Sequence, residues 1–234
     1  MTPGWPATLR TRTAAGTVTV RPLRRRDARA WSLVRARNAA WLEPWEATSP
    51  TGAPAASFGA YVAAARAQAR AGTHLPFVVE LDGRLVGQVT VASIVRGSAC
   101  SGSVGYWIDS AVAGRGIMPA AVALVVDHCF AAAGLHRVEI AIRPENAASL
   151  RVVAKLGLRE EGLRERYLHI DGGWRDHRVF AVTADEVPGG LLVRLRAREG
   201  VAEGATPTAG AVRGPDGTGP HGGDDARTGG TTPV

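Results

Sequence analysis

Residues Ala113-Gly114-Arg115-Gly116-Ile117-Met118, followed by Pro119, place two glycines between a strand-like run, Gly105-Tyr106-Trp107-Ile108-Asp109, and an apolar helical run at 120–133. A glycine loop that opens into a helix leaves backbone N–H groups unpaired and aimed the same way. With the positive end of the helix dipole behind them, those groups bind phosphate. The chemistry this predicts is capture of a phosphorylated cofactor. The purely structural alternative is a strand-to-helix joint with no ligand. Two named phosphate motifs do not fit. The P-loop needs Gly-Lys-Ser/Thr ahead of its helix. The dinucleotide fingerprint needs a third Gly or Ala where Pro119 stands. A second pair, Asn146 and Ser149, is three residues apart and shares one helix face. Asn146 is suited to capping that helix. Ser149 either offers a hydroxyl outward or bonds back to the preceding turn.

The elements that must hold these residues follow from patterning. Residues 1–16 read as a loose lead-in and 17–23 as a first strand. A helix is expected over 24–41, broken at Pro44, and an alanine-rich helix over 57–71, ended by Gly72. Two strands at 75–81 and 84–95 join at Asp82-Gly83, a hairpin signal, and a third covers 103–109. In the helix after the glycine loop, Val122, Val125, Val126, Cys129 and Phe130 lie on one face. Pro119 suits its first turn and Gly134 its end. A strand at 137–142, a helix at 146–156 stopped by Gly157, and a hairpin of 166–170 with 174–182 complete the ordered part. Residues 187–200 could form a short helix. From 201 to 234 Gly, Pro, Thr and Ala dominate, and the composition predicts disorder.

Composition limits the partners. The 234 residues are 45% hydrophobic and 21% charged, the balance of a globular chain. No apolar run is long enough to cross a membrane, and the N-terminal segment lacks the apolar core of a signal peptide. Cys100 and Cys129 are the only cysteines, which suits the reducing cytoplasm and no disulfide framework. The six histidines show no metal-ligand spacing, so no metal is expected. Net charge is +7, and the acidic excess after residue 200 leaves the rest more basic still. A basic domain favours an anionic partner, either nucleic acid or a polyanionic cofactor. No basic run studded with aromatics points to single-stranded nucleic acid.

The order of elements, with the glycine loop between the third antiparallel strand and its helix, resembles the GNAT N-acetyltransferase fold over roughly residues 17–185. The likeness is strongest to the ribosomal-protein N-terminal (alanine) acetyltransferases of RimJ/RimL type. It is carried by Arg21-Pro22-Leu23, Trp41-Leu42 with Pro44-Trp45, the 105–109 run and the glycine loop. Arg143-Pro144-Glu145-Asn146 with Ser149, Lys155-Leu156-Gly157-Leu158 with Glu161-Gly162, and Trp174-Arg175-Asp176-His177 complete it. Ala113 departs from the family loop, which begins with Gln or Arg. Met118 is usual in the RimJ-like branch.

The resemblance implies an α/β fold of the α+β type, a GNAT acetyltransferase domain at 17–186. Its mixed, mostly antiparallel sheet has about seven strands flanked by about four helices. It implies acetyl-CoA as co-substrate, with no metal, and direct acyl transfer to a primary amine, here the α-amino group of a protein such as a ribosomal protein. Association with the ribosome would follow from that acceptor. No membrane role is implied, and monomer and homodimer stay open. Trp107 and Ile108 are the expected main-chain partners of the pantetheine. Gly114, Gly116, Ile117 and Met118 are expected to hold the pyrophosphate, with Arg115 adding charge, and Asn146 to meet the cofactor arm. Ser149 is the expected proton donor to the departing thiolate. Glu46 and Glu43 fall on the segment that lines the family's acceptor groove, with Glu46 expected to take part in catalysis. Glu43, Trp45 and Tyr106 are expected to contact the acceptor. Two rival functions remain: an acetyltransferase for a small amine such as a polyamine or antibiotic, and a non-catalytic acyl-CoA-binding or RNA-associated module.

Overall fold

A computed structural model describes residues 4–52 and 56–204. One eight-stranded sheet runs through the molecule in the order β1-β2-β3-β4-β5-β6-β8-β7. The strands are β1 (Leu9–Thr13), β2 (Gly16–Pro22), β3 (Leu75–Leu81), β4 (Arg84–Val95), β5 (Ser101–Ile108), β6 (Arg137–Ile142), β7 (Arg159–Ile170) and β8 (Gly173–Thr183). The helices are α1 (Ala28–Arg37), α2 (Ala39–Leu42), α3 (Phe58–Ala71), α4 (Ile117–Ala131), α5 (Ala147–Leu156) and α6 (Leu191–Gly204).

Every neighbouring pair of strands is antiparallel except β5 and β6, which are parallel and linked through α4. Their pairing is short. Only Ser101, Gly102 and Ser103 face Arg137, Val138 and Glu139. Beyond Ser103 the strands part, and β6 turns wholly to β8. This divergence opens the sheet at the point where the glycine loop and α5 begin.

Both faces of the sheet are covered, each by its own apolar cluster. On one face α4 inserts among Val18, Val20, Phe77, Val79, Val89, Val91 and Ile140. On the other, Leu23, Val34, Val62, Val78 and Leu85 pack with Trp31, Phe58, Tyr61 and Trp107 beneath α1 and α3. Alternation along β5 divides its side chains accordingly. Tyr106 joins the first cluster and its neighbour Trp107 the second. Between α1 and the sheet, the buried Gln88 amide receives the Trp31 indole (3.1 Å) and donates to the Tyr61 hydroxyl (2.6 Å) and the Thr90 hydroxyl (3.1 Å). Where β2 leads into α1, the Arg21 guanidinium bridges Asp27 in a two-pronged pair and Glu80. Burial alone would raise the Asp27 pKa, but the Arg21 and Arg24 hydrogen bonds outweigh it and hold the carboxyl below its ordinary value.

Several boundaries differ from the sequence reading. The 9–13 stretch, expected in the lead-in, is the edge strand β1. Its Leu-Arg-Thr-Arg-Thr sequence is too polar to show a buried face, and the ladder to β2 makes it a strand. This brings the sheet to eight strands where about seven were expected. The helix expected over 24–41 is divided at Asn38, whose side chain is buried rather than solvated. β7 begins at Arg159, seven residues before the expected 166, because nearly all its side chains are exposed and carry no period-two signal. The short helix expected within 187–200 continues to Gly204 as α6. It lies against α4 and α5, with Asp127 of α4 accepting from the Leu191 and Leu192 amides. The flanks 1–3 and 205–234, including most of the expected disordered tail, lie outside the described residues.

Leu195 is only 1% exposed inside the α4 cluster. Leu195→Ala should therefore lower stability by about 2–5 kcal/mol, read as a shifted denaturant midpoint. An unchanged midpoint would mean that α6 is not part of the core.

Candidate active site

A cavity of about 890 Å³ lies where β5 and β6 diverge. Its walls are the end of β5, the glycine loop with the start of α4, the first two turns of α5, and the 41–47 segment after α1. That volume falls in the range of small-molecule sites.

The glycine loop has the expected geometry. Gly114 and Gly116 have φ of 81° and 78°, the left-handed region that glycine enters without strain. Gly116 sits at the N-terminal boundary of α4, and Ala120 N–H returns to the Gly116 carbonyl at 3.3 Å. Pro119 has no N–H. The amides of Gly114, Arg115, Gly116, Ile117 and Met118 have no backbone acceptor among the described residues. Together they form the unpaired cluster that an anion requires. The Arg115 side chain is exposed and does not line the cavity, whereas Arg151 and Lys155 on α5 do.

The free edge of β5 supplies a second set of main-chain groups. Asp109 N–H donates to the Val86 carbonyl at 2.7 Å, which fixes the ladder's phase. By alternation, residues 103, 105 and 107 then turn their main-chain groups toward β4, and 104, 106 and 108 turn theirs toward the gap. The Trp107 carbonyl accordingly lies against β4, 2.5 Å from where a Cβ on Gly87 would stand. Trp107 thus meets the cavity through its ring, and Ile108 through its main chain. The Ile108 carbonyl already accepts the Trp41 indole N–H at 3.2 Å.

On the far wall, the Asn146 side chain caps α5 by accepting from Ser149 N–H at 3.0 Å. That geometry turns Ser149 to the cavity. Its carbonyl is approached by the Tyr106 hydroxyl at 3.4 Å, and its side chain also meets the Tyr106 phenol. Burial pushes the Tyr106 phenol well above its ordinary pKa, so it stays protonated. Tyr106 therefore spans the gap from β5 to α5.

At the acceptor side, Trp45 and Glu46 line the cavity, and Glu43 is exposed outside it. Glu46 pairs with Arg35, whose guanidinium lies 5.4 Å from the ring centres of both Trp31 and Trp107. Desolvation pulls the Arg35 pKa below its ordinary value. Arg143, at the end of β6, reaches across to the Pro44 carbonyl (2.7 Å), lies over Trp45, and bonds Glu145 at 3.2 Å.

The sequence reading missed the parts that fix these walls. Asn38 is buried and donates to the Val34 carbonyl (2.9 Å) and to Asp109 (2.8 Å), and its oxygen accepts from the Ser110 amide and hydroxyl. Asp109 also pairs with Arg37. Burial would raise the Asp109 pKa, but the Asn38 and Arg37 hydrogen bonds prevail and hold it below the ordinary range. This lock ties the kink between α1 and α2 to the end of β5, directly before the glycine loop. The available signal was an asparagine in the middle of an expected helix, where its propensity is poor. Arg35 gave no signal beyond its place in an arginine-rich helix.

Residues 17–159 match the acetyltransferase (GNAT) domain family. Among solved structures, the fold is similar to Mycobacterium smegmatis RimJ in complex with CoA-disulfide. The TM-score is 0.80 and the identity 46%, over 85% of this chain and 98% of that one. Among curated proteins, a probable N-acetyltransferase YjcK of Bacillus subtilis is 40% identical over 109 residues, 47% of this chain and 60% of that protein. The [ribosomal protein uS5]-alanine N-acetyltransferase of Escherichia coli is 34% identical over 106 residues, 45% of this chain and 55% of that protein. The matches thus span little more than half the length of these curated relatives. The family match covers more than half of this chain, and the RimJ structure is matched over nearly its whole length. The chain belongs to the GNAT acetyltransferase family.

Proposed function

We propose that this protein transfers the acetyl group of acetyl-CoA to a primary amine, and that the amine is the α-amino group of a protein N-terminus, such as that of a ribosomal protein, in the cytoplasm. The observation that carries the reading is the meeting of three features in one cavity: the unpaired amides of residues 114–118, the free β5 edge, and the outward-facing Ser149. These suit the phosphates, the amide-bearing arm and the thioester end of one long ligand. The E. coli relative named for acetylating a ribosomal-protein alanine, and the M. smegmatis RimJ structure with CoA-disulfide, support the choice of donor and acceptor.

Bound acetyl-CoA supplies an acyl group activated as a thioester: the amine nitrogen bonds to the acyl carbon, the carbon–sulfur bond breaks, the amine loses a proton and the thiolate gains one. The amides of Gly114, Gly116, Ile117 and Met118 hold the pyrophosphate, and Arg115 adds a cation at the rim. Ile108 and Tyr106 offer main-chain groups to the pantetheine as a neighbouring strand would, and the Trp107 ring closes the wall behind them. Asn146 holds the first turn of α5 so that Ser149 faces the departing sulfur, and Ser149 gives it a proton that the proton lost by the amine replaces through solvent. Glu46 attracts the incoming ammonium, with Glu43 outside the cavity adding negative charge at its approach. Trp45 and Tyr106 shape the acceptor channel. An α-amino group ordinarily titrates near pH ~8 and loses its proton more readily than a lysine.

Gly116→Asp adds a carboxylate and a Cβ at a left-handed position facing the anion site. It should abolish acetyl-CoA binding in calorimetry while the protein stays folded. Near-native affinity in the folded variant would remove the phosphate-loop assignment.

Ser149→Ala should lower kcat with little change in the KM for acetyl-CoA, because its proton matters only as the carbon–sulfur bond breaks. General acids contribute about 10²–10⁴-fold, and a thiol is a good leaving group, so the loss should lie at the low end or below. Asn146→Ala should instead lower thermal stability by the loss of a cap, about 1 kcal/mol, and weaken acetyl-CoA binding with it. Wild-type kcat in Ser149→Ala, measured where chemistry limits turnover, would contradict the proton-donor role.

A further inference from the structure

The carboxylates that line the cavity are Glu46 and Glu145, and each already faces an arginine. Glu145 pairs with Arg143, and Glu46 with Arg35. The remaining charged lining, Arg151 and Lys155, is cationic. Among the described residues, the cavity therefore has no carboxylate in excess of its cations. Arg35 is also held by more than its carboxylate. Its guanidinium packs over Trp31 and Trp107, themselves 6.3 Å apart at an interplanar angle of 81°, and its side chain is 26% exposed against 40% for Glu46. A guanidinium has five N–H donors in a planar fork, so pairing with Glu46 leaves donors free.

We propose that Arg35 and Glu46 act together as a two-signed recognition element for a polypeptide N-terminus, with Arg35 as a specificity-determining residue that also excludes polyamines. The proposal rests on the acetyltransferase reading above. In a polypeptide the terminal ammonium is followed, two carbons on, by a peptide carbonyl. The Glu46 carboxylate meets the ammonium, and a free Arg35 N–H donates to the carbonyl. A polyamine offers no acceptor for Arg35. It also brings further cations to a lining whose carboxylates are already matched by arginine. Trp107 connects the device to the donor side, since the ring that supports Arg35 belongs to β5. Lysine cannot replace this arrangement fully: its ammonium carries the charge but has no planar fork to share between Glu46 and a carbonyl.

The test uses the full chain and two acceptor probes, a short peptide with a free N-terminus and spermidine. The wild type should have a kcat/KM for the peptide at least about tenfold above that for spermidine. Arg35→Gln should raise the peptide KM about tenfold, change the KM for acetyl-CoA less than about threefold, and narrow or reverse the preference over spermidine. Arg35→Lys should fall between the two, which separates the requirement for charge from that for the planar fork. A second readout does not depend on turnover. In calorimetric titration of the peptide into protein saturated with CoA, Kd should weaken about tenfold in Arg35→Gln. Equal use of spermidine and peptide by the wild type, or unchanged peptide affinity in folded Arg35→Gln and Arg35→Lys, would overturn the proposal. Failure to release thiol with any acceptor would instead contradict the acetyltransferase reading, and the calorimetric arm would still decide the role of Arg35.

Discussion

The site depends on one constraint of strand pairing. A β-strand inside a protein must give its N–H and C=O groups partners, and β5 loses its β6 partner after Ser103. Tyr106 spans the resulting gap to α5, and Trp41 takes the Ile108 carbonyl. What remains open is an edge suited to an extended, amide-bearing ligand. The same divergence places the first turn of α4 and the first turn of α5 on opposite walls of one cavity. An unpaired strand edge, unpaired helix amides and an outward-facing hydroxyl thus all follow from the separation of two strands.

The carboxylates at and beside the cavity are paired with arginine. Asp109, Glu46 and Glu145 each have an arginine partner, from Arg37, Arg35 and Arg143 respectively. These pairs are also the connections between elements. Arg143 joins β6 to the Pro44 carbonyl, Arg35 joins α1 to β5 and to the acceptor segment, and Asn38 with Asp109 joins the α1–α2 kink to the glycine loop. Exposed pairs such as Arg143–Glu145 contribute little to stability. Their contribution here is positional, because each holds a wall of the cavity against its neighbour.

The glycine loop and its lead into α4 were legible in the sequence because the signal is local: glycines at fixed offsets from a helix start, with Pro119 in the first turn. Asn146 as a helix cap was legible for the same reason, and Gly72 and Gly157 at helix ends were equally plain, whereas α4 ends at Ala131 with Ala132 as its cap, short of the expected Gly134. The third strand, the strand at 137–142 and the Asp82-Gly83 hairpin show the period-two and turn patterns of buried sheet. Edge strands were not legible. β1 and most of β7 carry polar side chains on both faces, and only their ladder bonds define them. The roles of Asn38 and Arg35 were hidden because they depend on partners distant in sequence, Asp109 and Ser110 for one and Trp107 for the other. The phase of the β5 ladder was hidden too. Sequence names Trp107 and Ile108 together, and only the pairing with β4 decides which main chain faces the gap.

The most direct measurement is amide hydrogen exchange of the protein with and without saturating CoA. Added protection is expected at the outward-facing amides of Tyr106 and Ile108 and across residues 114–118, with little change at Trp107, whose amide is already bonded to β4. Protection confined to other segments, or none at the glycine loop while CoA is bound, would contradict the claim that the divergence of β5 and β6 builds the donor site.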